Sequence, residues 1–120
     1  MGVQWMEHAG KRILYVDYSG CTTEEEMLAT YELQAQQMRL QPSKSLVLSN
    51  FTGASVGSAY MKRVSEGGKS HGSDLLEKSA FVGITGLKNI LLDGYASVTG
   101  LKDKIRTFDS EAEAFNWLVE

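Results

Sequence analysis

The stretch LVLSNFTGASVGSAYMKRVSE, Leu46 to Glu66, decides how the rest of the chain is read. A short apolar run enters a Ser/Gly-rich turn, and the turn enters a segment with helical spacing. Leu46 to Leu48 is apolar at consecutive positions, which marks a strand buried on both faces of a sheet. Tyr60 and Val64, four residues apart, fall on one face of the following helix. Strand, tight turn and helix in this order are half of a βαβ unit.

Such a turn can hold a phosphate, a nucleophile or a helix cap, and each has its own spacing. A P-loop requires G-x-x-x-x-G-K-[ST] between strand and helix. The turn Gly53 to Ser58 has a spacer one residue short and no lysine after Gly57. The other candidate, Gly68-Lys69-Ser70, has Arg63 where the first glycine should stand. No G-x-G-x-x-G follows a strand, so a dinucleotide fingerprint is absent as well. The string Gly53-Ala54-Ser55-Val56-Gly57 formally matches the G-x-S-x-G elbow of serine hydrolases. That elbow needs an acid and then a histidine downstream, whereas here His71 precedes Asp74. Hydrolase chemistry at Ser55 is therefore the remote alternative, and it requires a break at Gly67-Gly68 to fold His71 back. What remains of the turn is physical. Ser55 and Ser58 are helix-capping candidates, or an anion or phosphorylation site, because a helix N-terminus favours negative charge.

Moving outward, Val3 to Glu7 reads as a short strand and HAGK as a tight hairpin with Gly10 at positive φ. His8 is then an exposed turn residue. Arg12 to Ser19, RILYVDYS, is a second strand, apolar on both faces in its middle. Thr23 with Glu26 three residues on is a capping box, and Glu24 to Glu26 suit the positive end of the helix dipole. The helix that follows carries Met27, Leu28, Tyr31, Ala35 and Met38 on one side and ends before Pro42. Past Ser45 to Asn50, the helix from Ala59 is expected to stop at Glu66, where Gly67 and Gly68 interrupt it. Ser73 is expected to cap one more short turn carrying Leu75 and Leu76. Ser79 to Gly86 is the next strand. LKNILLDGYASVTG follows as a helix with Leu87, Ile90, Leu91 and Val98 inward. KIRTF is a last strand, and Ser110 with Glu113 opens a final helix bearing Ala114, Phe115, Trp117 and Leu118.

The expected order is ββαβαβαβα. It is an α/β fold with a mostly parallel sheet, an antiparallel N-terminal edge strand and helices covering the sheet. Its 120 residues form a single domain, 1–120, large enough to bury a core without metal or disulfide. A net charge of −3 argues against nonspecific nucleic-acid binding. One cysteine, Cys21, excludes an internal disulfide and fits a reducing, cytoplasmic setting; it reads as a small residue near a strand end. Its reactive alternative rests on Thr22 and Thr23 preceding a helix start. No apolar run approaches a membrane span, and the start of the chain lacks a signal pattern. His8, His71 and Cys21 have no metal-ligand spacing, so no metal and no cofactor is expected.

The hairpin with RILYVDYSG, the strand SLVLSN with its loop, SAFVGITG, and the ending RTFDSEAEAFNWL together resemble the SpoIIAA-like fold of STAS domains. The small bacterial STAS/SEC14-like proteins are the nearest part of that resemblance, which spans nearly the whole chain. It implies a non-catalytic cytoplasmic regulatory or protein-interaction module. In antagonist STAS proteins a D-S-S-G motif carries the phosphorylated serine; of Gly57-Ser58-Ala59-Tyr60, only Ser58 matches it. The similarity to the Sec14 lipid-binding fold implies an alternative, a carrier or sensor of a small apolar or lipid-like ligand. Tyr60, Val64, Leu91 and Tyr95 would line its pocket. The apolar ending Phe115 to Val119 suits a homodimer.

Overall fold

A computed structural model describes residues 2–120. The elements are β1 (Gly2–His8), β2 (Lys11–Asp17), α1 (Glu24–Arg39), β3 (Ser45–Asn50) and α2 (Ser58–Leu75). They continue with β4 (Leu76–Val82), α3 (Leu87–Thr99), a 3-10 turn (Lys102–Lys104), β5 (Ile105–Phe108) and α4 (Glu111–Leu118). The five strands lie in the order β1-β2-β3-β4-β5. β1 is antiparallel to β2, and the remaining pairs are parallel. This is the expected ββαβαβαβα order with the antiparallel strand at the N-terminal edge.

Local chemistry explains most element boundaries. Ala9 (φ 50°) and Gly10 (φ 80°) form the two-residue β1–β2 turn with both residues left-handed, which matches the twist of the flanking strands. At the start of α1, Thr23 Oγ1 accepts from the Glu26 N–H at 3.2 Å, and Glu26 Oε1 accepts from the Thr23 N–H at 3.1 Å. That is the full capping box. At α4 the box is half made. Ser110 Oγ accepts from the Glu113 N–H, but the Glu113 carboxylate takes the Ser110 hydroxyl rather than its backbone N–H.

The strand sequence divides the core into two. Leu14, Val16 and Val47 point to the face carrying α1 and α2, with α3 packed on α2. Ile13, Leu46, Leu48, Ala80 and Val82 point to the other face, closed by Ala114 and Leu118 of α4. Consecutive strands laid side by side, with crossovers of one hand, put the first three helices on one side. The short α4 is left to cover the reverse. There Trp117 packs on Phe108 at 5.5 Å between ring centroids, with the Lys78 ammonium over its ring. His8 is no bare turn residue. It closes β1, stacks on Phe115 and reaches Asn116 Oδ1 at 3.2 Å.

Three further expectations fail. First, α2 does not stop at Gly67-Gly68 but runs unbroken from Ser58 to Leu75. A Cβ on Gly67 would collide with the Tyr31 hydroxyl of α1. One on Gly68 would lie 2.6 Å from Thr99 Cγ2 of α3, and one on Gly72 2.6 Å from Leu101 Cδ1. These glycines let neighbouring elements press against α2, and that packing outweighs their poor helix propensity of about 1 kcal/mol each. Second, Ser73 caps nothing; it lies inside α2, and β4 begins at Leu76 rather than Ser79. The strand ends at Val82 because Gly83 (φ 78°) turns directly against the Thr52 backbone, where a Cβ has no room. Third, Leu87, Ile90 and Val98 face outward, 68%, 67% and 55% exposed. The inward face of α3 runs through Leu91, Leu92, Tyr95 and Ala96. Both faces of α3 repeat at helical spacing, so periodicity alone could not choose between them.

Candidate functional site

The turn after β3 is fixed by its backbone. The Phe51 N–H donates to Val82 O at 2.9 Å, and the Ala54 N–H donates to Phe51 O at 3.0 Å. Lys88 Nζ also donates to Phe51 O, at 2.8 Å. The helix begins after Gly57, which has no side chain to cap it. The cap comes from another helix. Glu24 Oε1, in the first turn of α1, accepts from the N–H of Ala59 at 2.7 Å and of Tyr60 at 3.2 Å. A Cβ on Gly57 would occupy the space of that carboxylate. The negative charge that this helix end favours is thus supplied within the chain. Neither Ser55 nor Ser58 caps α2, contrary to the capping expectation; Ser55 is exposed in the turn before it and Ser58 is exposed as its first residue.

With α2 unbroken, His71 stands about 20 Å along the helix axis from Ser58. The structure does not bring it to Ser55, which carries no hydrogen bond among the described residues. Cys21 is fully buried, with its sulfur 3.5 Å from Thr30 Oγ1. It packs as a small core residue at the start of the loop into α1.

Beneath α2 lies a cavity of about 130 Å³, bounded by α1, α3 and the β3–β4 face of the sheet. Tyr60, Val64, Leu91 and Tyr95, dispersed over two helices, all line it. The wall holds more than the sequence suggested. Phe51 and Phe81 come from the strand ends, Tyr31 and Met38 from α1, and Met61 from α2. The rings form a connected set. Phe51 lies 6.3 Å from Tyr60 and 5.8 Å from Phe81, and Tyr60 is edge-on to both Tyr18 and Tyr31. Strand-end aromatics were the missed signal: Phe51 directly follows β3, and Phe81 is the last residue but one of β4.

The Tyr18 hydroxyl, beside the wall, donates to Gln34 Oε1 at 3.3 Å. Burial pushes the phenols of Tyr18, Tyr60 and Tyr95 far above the usual range, and that of Tyr31 upward too. These four are therefore neutral at physiological pH.

On the reverse face, Tyr15 donates to Glu111 Oε2 and accepts from Asn50 Nδ2 at 3.2 Å. Burial, reinforced by the Glu111 carboxylate, raises the Tyr15 phenol to about 12. This contact joins residues 96 positions apart and ties α4 to the sheet. Among the described residues no cluster of His, Cys, Asp and Glu is arranged to hold a metal, and no helix is long and apolar enough to cross a membrane.

No family model and no curated protein matches the sequence. A solved structure does resemble it. This is an uncharacterized protein of the DUF3478 family from Shewanella loihica PV-4, described as having a SpoIIAA-like fold. The match covers 98% of this chain and 92% of that one, at 16% identity and a TM-score of 0.61. With its sequential five-stranded order, its N-terminal antiparallel edge and this near-complete overlap, the chain has the SpoIIAA-like fold.

Proposed function

We propose that this chain is a non-catalytic binding module of the SpoIIAA-like fold. It carries or senses a small, largely apolar ligand between α1, α2, α3 and the sheet. The observation that supports this is the aromatic cavity. An apolar space of about 150 Å³ takes up a benzene ring, so about 130 Å³ suits one ring or a short alkyl chain. Rings and methionines suit such a guest through dispersion and adaptable packing. The non-catalytic part of the reading is supported by Ser55 having no histidine at hand and by the buried Cys21 thiol. Phenylacetamide, a neutral one-ring probe, tests it. Titrated into labelled protein, it is expected to shift the amide signals of Tyr60, Val64 and Tyr95. Leu91→Trp, which adds bulk at the half-buried wall, is expected to abolish those shifts. No shift at those residues in the wild type contradicts the reading.

A second reading is a cytoplasmic regulatory module switched at the start of α2. It is supported by the exposure of Ser55 and Ser58 and by the place of Ser58 in the helix start that Glu24 caps. A phosphoryl group on Ser58, with a charge of about −1.5 to −2, would repel the Glu24 carboxylate from the helix end. The expected result is a lower melting temperature for Ser58→Asp but not for Ser58→Ala, and restoration in Ser58→Asp combined with Glu24→Gln. An unchanged melting temperature in Ser58→Asp sinks this reading.

A further inference from the structure

The residues that line the cavity include Arg39, Arg63, His71 and Lys88, and no aspartate or glutamate. The chain as a whole is acidic, with 15 Asp and Glu against 12 Lys and Arg. One-sided charge around an apolar space is electrostatic complementarity to an anion with an apolar body. Resting on the ligand-binding reading above, we infer that the ligand is a small apolar monocarboxylate, and that Arg39 meets its carboxylate.

The choice of Arg39 follows from what occupies the other cations. Arg63 Nε is 2.7 Å from Glu32 Oε1, and its guanidinium lies over the Tyr31 ring. Lys88 Nζ is taken by Phe51 O at the far end of the cavity. The side chain of Arg39, in the last turn of α1, makes no ion pair or hydrogen bond among the described residues. It is exposed, so its charge need not be desolvated in the empty protein. The contacts of Glu24 with Ala59 and of Tyr31 with Gly67 step along α1 and α2 together, so the two helices run the same way. Two turns beyond Tyr31, Arg39 comes level with the end of α2, one turn past His71. The carboxylate therefore sits at the mouth in water-accessible space, while the ring or chain, too short to span the roughly 20 Å to the level of Tyr60, reaches in along α2 toward Gly68 and Tyr95. A planar guanidinium suits a carboxylate in two-point contact.

The test compares phenylacetate with phenylacetamide, and hexanoate with hexanamide, by amide chemical-shift titration at one ionic strength. Each pair shares a body and differs in charge. The acids are expected to bind about tenfold or more tightly than their amides, the scale of a hydrogen bond to a charged group. The two pairs report whether the body is aromatic or aliphatic. Arg39→Gln is expected to bring the acids down to the affinity of the amides and leave the amides within about twofold. Lys88→Gln is expected to leave the acid-to-amide ratio unchanged. Equal affinity of acid and amide, or an Arg39→Gln variant that holds acids as tightly as wild type, overturns this inference while the cavity reading stands. Failure of all four probes to shift the cavity residues overturns the cavity reading itself.

Discussion

Glu24 and Ala59 belong to different helices, yet the carboxylate of the first is the N-terminal cap of the helix that contains the second, at 2.7 Å. The first turn of α1 is thereby locked to the first turn of α2, over the mouth of the Ser/Gly-rich turn. Glu24→Ala removes both hydrogen bonds to the α2 terminus and should cost about 1 kcal/mol, the usual loss for an N-cap. Urea unfolding should show a lower midpoint with an unchanged slope. Gly57→Ala should have a similar effect, because its methyl group displaces the same carboxylate. A Gly57→Ala protein as stable as wild type would show that the carboxylate has no such role.

Glycines inside helices make a second prediction with two signs. Gly94 in α3 faces open space, so Gly94→Ala should stabilise by about 0.4–1 kcal/mol through a less flexible unfolded chain. Gly68→Ala in α2 meets Thr99 and the Tyr95 hydroxyl and should destabilise by about 1–3 kcal/mol despite alanine's better propensity. Denaturant midpoints moving in the same direction for both would contradict the close helix packing described for α2.

Alkaline titration offers a third. All five tyrosines, Tyr15, Tyr18, Tyr31, Tyr60 and Tyr95, have phenols raised above 10 in the fold. A raised folded value means stability that is complete below pH 10 and is lost as pH climbs through the folded values. Phenolate absorbance should therefore stay low at pH 10 and then rise together with loss of helical signal. In Tyr31→Phe, which removes the least strongly shifted of the five phenols, the early part of that rise should shrink. A tyrosine ionising near 10 with the helices intact would contradict the burial of these rings.

At acid pH the capping box of α1 should be visible. Hydrogen bonds from Thr22 and Thr23 hold the Glu26 carboxyl below its ordinary 4.5. A depressed folded value gives stability that is present above 4.5 and is lost as pH falls through the folded value. Wild-type stability should then drop relative to Glu26→Gln between pH 5 and the acid limit, as followed by melting temperature. Parallel curves for the two proteins would refute this.

Most of the fold was legible because strong local signals agreed. The apolar runs at Leu14–Val16 and Leu46–Leu48, the Thr23–Glu26 box and the Ala9–Gly10 turn each have a short-range cause. The errors arose where tertiary packing overrode local preference. Gly67 and Gly68 look like breakers in isolation and act as contact points once Tyr31 and Thr99 are beside them. Leu87, Ile90 and Val98 carry a helical stripe that no neighbour covers. In the candidate site, Tyr60, Val64, Leu91 and Tyr95 could be named from spacing and resemblance. Phe51 and Phe81 offered only their place at strand ends and Arg39 no signal, because only the sheet order and the helix packing bring their elements to one cavity. The cap from Glu24 was also hidden, since a glutamate in a first turn is explained by its own helix dipole.

The most direct test of the central claim is native mass spectrometry of the protein purified gently from its own host. The account predicts a population heavier than the bare chain by one small organic acid, lost in Leu91→Trp and weakened in Arg39→Gln. A bare wild-type mass, or an added mass that Leu91→Trp retains in full, would contradict it.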